Sequence, residues 1–249
     1  MKEVIVISLG GSLIIPNKIN INFLEKFKKI LLKNQKKYKF VVVCGGGNTA
    51  RNYINGMPYM KNPTKKEFFQ SLLGIASTRL NARFMTYFFG EDANEGIPHD
   101  MEEVKNLLRK NIVVFCGALR YAKKETSDST AAKLSRFFNS DFINLTNVNG
   151  LSDKDPKTLK NQRFFGPKNS KKIFREFKYA KFIPEISHKK FYDMAKKIEY
   201  KPGQHFVLDQ SAAKIIKKYK IATYILGSDL KNLDNVLNKR HFVGTRIGD

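Results

Sequence analysis

Three apolar runs in this sequence end in glycine. Ser8-Leu9 leads into Gly10-Gly11-Ser12, Val43-Cys44 into Gly45-Gly46-Gly47-Asn48, and Phe115-Cys116 into Gly117. Glycine gives up side-chain packing and costs conformational entropy on folding, so bare backbone here implies that something must come close. Amides free of side chains, set between a strand end and a helix start, make a cradle for phosphate oxygens. A tight strand-to-helix turn would explain one glycine pair, but repetition at successive strand ends points to an anion site in a ligand crevice. The pattern is neither Gly-x-Gly-x-x-Gly nor Gly-x-x-x-x-Gly-Lys-Ser/Thr, so a different phosphate chemistry from those two fingerprints is implied.

Two polar stretches add to this. Thr126-Ser127-Asp128-Ser129-Thr130-Ala131-Ala132 sets hydroxyls and a carboxylate where a helix should begin, and Ser127 or Asp128 would serve as its N-cap. Thr146-Asn147-Val148-Asn149-Gly150-Leu151-Ser152-Asp153-Lys154-Asp155-Pro156 reads as a turn-rich loop after another apolar run. The four histidines, His99, His188, His205 and His241, have no metal-ligand spacing and are expected at surface or capping positions, so no protein metal site is expected.

Such loops need strands and helices to aim them. Residues 4–8, 40–44, 112–116, 142–146 and 222–226 are short β-branched or aromatic runs bounded by glycine or polar turns, which predicts strands. Between the first two, Asn22-Phe23-Leu24-Glu25 resembles a capping box, and Phe23, Phe27, Ile30 and Leu31 share one helical face. Thr64-Lys65-Lys66-Glu67 and Asp100-Met101-Glu102-Glu103 open two further helices, and Asp209 is placed to cap another that starts at Ala212. Alternation of this kind predicts an α/β protein, a three-layer α/β/α sandwich with a mainly parallel sheet. Ligands in such sheets sit beyond the carboxyl ends of the strands, where the glycines are.

Composition narrows the partners. The chain has 249 residues, 42% of them hydrophobic and spread along its length, enough for a substantial core. No apolar run approaches the roughly 20 residues that span a bilayer. Residues 1–9 reach Gly10-Gly11 and then Pro16 before a signal-length apolar core forms, so a cytoplasmic protein without a membrane partner is expected. Cys44 and Cys116 each end an apolar run, which suits reduced, buried thiols. Lys and Arg number 46 against 22 Asp and Glu, a formal charge of +24 that would attract polyanions. No recognisable nucleic-acid motif accompanies it, so the lysines are read as solvated helix faces and nucleic acid is not the expected partner.

Taken in order, Gly10-Gly11-Ser12, Gly45-Gly46-Gly47 with Arg51, Thr78-Arg79-Leu80-Asn81-Ala82, Asp128 before Ala131-Ala132, Thr146-Asn147-Val148-Asn149-Gly150 with Asp155-Pro156, Leu208 to Lys214, and Gly244-Thr245 resemble the amino-acid kinase superfamily. Within it they look most like the uridylate (UMP) kinase branch of the archaeal type, and the likeness runs from Val4 to the C-terminus. The resemblance implies one amino-acid kinase domain over residues 1–249, with an acceptor-binding half to about residue 140 and an ATP-binding half from about 141. It implies phosphoryl transfer from ATP, with magnesium, to UMP in pyrimidine nucleotide biosynthesis, and a homohexamer. Gly11 and Ser12 would lie at the transferred phosphate, with Asp128 as the carboxylate that orders the catalytic centre. Gly47, Arg51, Thr146, Asn147, Ser152 and Asp155, with Gly11 and Ser12, would meet ATP. Gly46, Ser71, Thr126 and Ser127 would meet UMP. This transfer needs positioning and neutralisation of charge more than a covalent nucleophile.

The sequence also departs from the family. Ser8 stands where many relatives carry a lysine two residues before the first glycine pair, and Ser71 where an aspartate would hold the acceptor ribose. A serine still hydrogen-bonds a hydroxyl, without charge assistance. Ser152 replaces an aromatic residue, and the stretch from Gly117 to Asp128 is longer than usual, with Arg120, Tyr121, Lys123 and Lys124 in place of small residues. Arg79 and Asn81 fit a core or subunit contact as well as a substrate contact. Two other functions stay open at this level: a kinase acting on another phosphorylated acceptor such as isopentenyl phosphate, and a non-catalytic nucleotide- or nucleic-acid-binding protein.

Overall fold

A computed structural model of the chain describes residues 2–121, 125–153, 181–197 and 207–249. The first half runs β1 (Glu3–Leu9), α1 (Gly11–Ile14), α2 (Ile21–Asn34), β2 (Tyr38–Cys44), α3 (Gly47–Asn55), α4 (Pro63–Phe89), α5 (Met101–Lys110), β3 (Val113–Cys116) and α6 (Ser127–Phe138). The second half runs β4 (Phe142–Leu145), β5 (Leu151–Ser152), β6 (Phe182–Ile183), β7 (Glu185–Ile186), α7 (His188–Lys196), α8 (Gln210–Tyr219), β8 (Thr223–Leu226), α9 (Leu230–Leu237) and β9 (Thr245–Ile247).

A seven-stranded sheet has the order β3-β2-β1-β4-β8-β9-β7, and β5 pairs with β6 in a separate hairpin. Strands β3, β2, β1, β4 and β8 are mutually parallel, while β9 is antiparallel to β8. The expected α/β/α sandwich is therefore present. The chain moves outward from β1 to β2 and β3 on one side, then returns to lay β4 on the other. That reversal makes the β1/β4 boundary the switch point, where a crevice opens beyond the strand ends. Ser8 sits there, level with Val43 on β2 and Asn144 on β4.

Period-two alternation splits the core between the two faces. Ile5, Ile7 and Leu9 pack with Phe23, Phe27 and Leu31 of α2, Met85 and Phe89 of α4, and Leu233 of α9. Val6, Val41 and Val114 pack on the opposite face with Leu108 of α5, Leu134 of α6, Phe191 of α7 and Ile216 of α8. Phe89 links α4 to the sheet through an edge contact with Phe115, centroids 4.7 Å apart. Cys44 and Cys116 are free and buried, one in each core, and burial pushes both thiols up, Cys116 to about 12. Both are held as protonated, unreactive core residues.

Helix starts follow the capping rules but not always at the expected residue. Asp100 caps α5 as expected, accepting from the Glu103 amide at 2.9 Å, and Glu103 returns to the His99 amide at 2.8 Å. Helix α4 begins earlier than Thr64: Asn62 accepts from the Lys65 amide, with Pro63 in the first turn. Its fixed φ suits that position. Helix α2 starts at Ile21 behind Asn20, so Asn22 lies inside it. The N-cap of α6 is Thr126 and not Ser127 or Asp128, because Thr126 is the residue still in extended backbone. His188 also corrects an expectation: it is buried, with Nε2 3.1 Å from the Ile221 carbonyl and Nδ1 3.2 Å from Asp249 Oδ2. His99 and His241 are exposed as expected, and His205 lies outside the described residues.

Candidate active site at the carboxyl ends of β1 and β4

The two glycine loops after β1 and β2 are locked into each other. A Cβ on Gly11 would stand 2.0 Å from the Gly47 amide nitrogen, and one on Gly45 would stand 2.6 Å from that of Gly11. Gly47 has φ +62°, and its Cβ would fall 2.3 Å from the Gly11 carbonyl oxygen. No side chain fits between backbones this close. The close approach that the sequence assigns to phosphate is thus made first by the protein's own backbone. At Gly46 the neighbour is helix: a Cβ there would lie 2.6 Å from Ala50 Cβ and 3.7 Å from the Gly74 carbonyl. The loop also abuts β4, with the Gly10 amide bonded to the Leu145 carbonyl at 2.9 Å. Ser12 lies in the first turn of α1 and is partly buried, as is Arg51, one turn into α3 from Gly47.

Helix α4 holds two loops at once. Asn81 is buried and donates to the carbonyls of Gly45 at 2.7 Å and Gly46 at 3.2 Å. One turn earlier, Thr78 accepts from the Ala118 amide at 2.9 Å, while Arg79 donates to the Ala118 carbonyl at 3.0 Å and to the Leu119 carbonyl. The Thr78-Arg79-Leu80-Asn81 motif is therefore a structural clamp on the β2 and β3 loops, with Arg79 and Asn81 both making contacts inside the fold. Ser71 lies one helical turn before Gly74, partly buried, with its hydroxyl donated to the Glu67 carbonyl at 2.9 Å.

Two carboxylates meet where α6 and α8 begin. Ser8 Oγ donates to Asp128 Oδ1 at 2.7 Å. Thr126 donates its hydroxyl to Asp209 Oδ2, and Asp209 Oδ1 accepts from the Ala212 amide at 2.9 Å as the cap of α8. Burial first, and then the Asp209 carboxylate, push the Asp128 carboxyl up to about 7, against the opposing hydrogen bond from Ser8. Thr126 and Ser129 complete a reciprocal capping box, with the Thr126 amide bonded to Ser129 Oγ at 2.9 Å. The Ser8–Asp128 and Thr126–Asp209 pairs escaped sequence reasoning because 120 and 83 residues separate the partners.

The structure sets Gly11 against Gly47 and Gly46 against α3 and α4, and puts Asp128 on Ser8 at the end of β1, with Ser12 and Ser127 in the first turns of α1 and α6 and Thr126 on Asp209. Thr146 adjoins the Gly10 turn, its Cα 3.6 Å from where a Gly10 Cβ would be, and its hydroxyl is 3.4 Å from Asn147 Oδ1. Beyond them, Asn149 lies against Gly227, where a Cβ would come within 2.1 Å of Asn149 Oδ1. Thr245 pins the following hairpin by accepting from the Leu151 amide at 2.8 Å. Ser152 sits in that hairpin opposite Phe182, apart from the main sheet. Asp155, Lys123 and Lys124 lie outside the described residues. Arg120 turns to Asp100 at 3.0 Å, holding the extended loop to the cap of α5.

The arrangement is an α/β/α sandwich with interlocked glycine loops and two carboxylates near the strand ends at its switch point. A family model described as the Amino acid kinase family matches residues 3–167. The chain is 32% identical to a uridylate kinase of Thermococcus onnurineus over 239 residues, covering 95% of this chain and 96% of that protein. It is 31% identical to one of Thermoplasma volcanium over 248 residues, 99% of this chain and 98% of that one. The crystal structure of uridylate kinase from Archaeoglobus fulgidus superposes with a TM-score of 0.75 at 30% identity, covering all of both chains. This chain belongs to the amino acid kinase family.

Proposed function

We propose that the chain is a UMP kinase, transferring the γ-phosphoryl group of ATP to UMP to give UDP and ADP. The observation that carries this reading is that the Gly11–Gly47 interlock and the Ser8–Asp128 pair both stand at the carboxyl end of β1. Similarity over nearly the whole chain to proteins named uridylate kinase supports it. That similarity favours UMP over isopentenyl phosphate as acceptor and a kinase over a non-catalytic binding protein.

Phosphoryl transfer spreads negative charge over three equatorial oxygens, so rigid donors aimed at that spot are what accelerate it. In this reading Gly11 and Ser12 face the transferred group, Gly47 and Arg51 take ATP phosphate, and Thr146, Asn147, Ser152 and Asp155 surround the rest of ATP. Gly46, Ser71, Thr126 and Ser127 hold UMP. Residues to about 140 form the acceptor half and residues from about 141 the ATP half, meeting at the β1/β4 switch point. Asn81 keeps the glycine loop fixed, so its amides need no rearrangement when charge develops. Among the described residues no cluster of three or more His, Cys, Asp and Glu forms a metal cage. Asp128 nevertheless fits magnesium brought with ATP, since that ion takes one or two carboxylate oxygens alongside phosphates. Oδ1 already accepts from Ser8, and the Asp128 carboxylate would supply the oxygen that holds the ion. When bound, the ion would neutralise charge on the phosphoryl oxygens.

Pyrimidine nucleotide biosynthesis in the cytoplasm is the setting of this activity. No helix among the described residues is long and apolar enough to cross a membrane, and both thiols are free. A homo-oligomer, a hexamer by the family likeness, belongs to the same reading. Its support is an exposed stripe on α4 formed by Leu72, Ala76, Leu80 and Tyr87, with Leu80 57% and Tyr87 71% exposed. The test of function is incubation with MgATP and, separately, UMP, CMP, dUMP and isopentenyl phosphate, with product identification. UDP is the expected product; ADP release without a phosphorylated acceptor, or turnover of isopentenyl phosphate alone, would overturn the proposal.

A further inference from the structure

The extended loop after β3 does not hang in solvent. Clamped by Thr78 and Arg79, it runs back along α4 toward the N-terminal end of that helix. Tyr121 there meets Phe68 edge to face, with centroids 5.1 Å apart and planes at 89°. The two rings stay 43% and 40% exposed, respectively. They line an open groove of about 330 Å³ together with Ser71, Glu67, Lys65 and Asn62. That size is at the lower end of small-molecule pockets.

The groove lies toward the N-terminus of the same helix whose Gly74 faces Gly46. Gly74 faces Gly46, Ser71 is one turn nearer the N-terminus, and Phe68 is one turn further, about 9 Å along the helix axis from Gly74. A ribose and base reaching out from a phosphate at Gly46 span a distance of this order. Ser71 spends its proton on the Glu67 carbonyl, so toward a ligand its oxygen can only accept, which suits a ribose hydroxyl. An edge-to-face pair leaves ring faces open for a third planar group. The lining also sets the ligand class: charged and amide groups beside two rings suit a heteroaromatic base with polar edges, and an isoprenoid chain would leave them unpaired.

We infer that Phe68 and Tyr121 form the platform on which the acceptor's pyrimidine base stacks, making them specificity-determining residues contributed by α4 and the extended loop. This rests on the UMP kinase reading for the placement of the acceptor phosphate. Stacking reads the flat face of the ring, so the platform selects nucleotides over aliphatic phosphates and discriminates weakly between uracil and cytosine.

Calorimetric titration of UMP and of ribose 5-phosphate into the wild-type protein, Tyr121→Ala, Phe68→Ala and Tyr121→Phe tests it, with melting curves on each variant. Loss of one stacking ring should weaken UMP binding about tenfold to a hundredfold. Ribose 5-phosphate, which has no base, should bind all forms alike, and Tyr121→Phe should restore most of the UMP affinity. Folded alanine variants that bind UMP within twofold of wild type overturn the platform, even where UDP formation is intact. Tyr121-dependent UMP binding by a protein that makes no UDP would uphold the platform and sink the kinase reading. A wild-type protein that binds no UMP overturns both.

Discussion

The Ser8 hydroxyl donates to Asp128 at 2.7 Å, tying the end of the central strand to the first turn of α6. Burial and the neighbouring Asp209 nonetheless leave that carboxyl up at about 7. The unfolded chain, with an ordinary carboxyl near 4, releases the proton first, so the native state binds more protons between about pH 4 and pH 7. Asp128 therefore subtracts stability as pH rises through that window and levels off above it. In metal-free buffer, Asp128→Asn should flatten this decline and raise stability at pH 8 by about 2–4 kcal/mol. Its UDP formation should fall at least about a hundredfold, as when one transition-state stabiliser is removed. Urea melts at pH 5 and pH 8 check the first claim; equal pH dependence in mutant and parent would refute it.

Asn81 makes a second testable link. Its amide spans the Gly45 and Gly46 carbonyls from a buried position, so Asn81→Ala leaves both acceptors short of a donor and should cost about 1–3 kcal/mol. Asn81→Asp should cost more, since a carboxylate would then face carbonyl oxygens. Because Gly46 is placed at the UMP site in the proposed reading, UMP affinity should drop with stability. A mutant that melts like wild type would show that the loop holds its shape without the clamp.

Much of this was legible beforehand. Buried parallel strands are β-branched runs ended by glycine, and the five expected ones match β1, β2, β3, β4 and β8 to within two residues. The short strands β5, β6, β7 and β9, of two or three residues, carry no period to read. The glycine loops were visible, but not that Gly11 and Gly47 face each other, because sequence spacing does not pair distant backbones. Thr126 and Ser127 are adjacent hydroxyls of similar capping strength, and only the backbone angle at Thr126 decides between them. The extended loop showed Tyr121, but nothing in the sequence sets it against Phe68.

Glycines that look alike in the sequence should behave differently. Gly11 has a neighbour's backbone 2.0 Å from where its Cβ would be, so Gly11→Ala requires the two loops to separate. Gly96 has φ +72° and nothing within 4 Å, so Gly96→Ala meets only the left-handed backbone penalty. The expected costs are above about 4 kcal/mol for Gly11→Ala and about 1–2 kcal/mol for Gly96→Ala. Melting curves and soluble yield measure both, and comparable losses would mean that the interlock yields easily.

The exposed stripe on α4 predicts the assembly. Leu72, Ala76, Leu80 and Tyr87 recur at helical spacing on the side turned away from Asn81, Met85 and Phe89, which are buried. Leu72, Leu80 and Tyr87 are large apolar groups left in water on that face, with the exposed Arg83 between Leu80 and Tyr87, and such a face is relieved when a second copy covers it. Leu80→Glu would place a charge in the middle of that contact, where burial without a partner is strongly unfavourable. Light scattering after size exclusion should therefore give an oligomer for the wild type and a smaller species for Leu80→Glu, with the melting temperature of the mutant independent of protein concentration. Equal masses for the two proteins would place the subunit interface elsewhere.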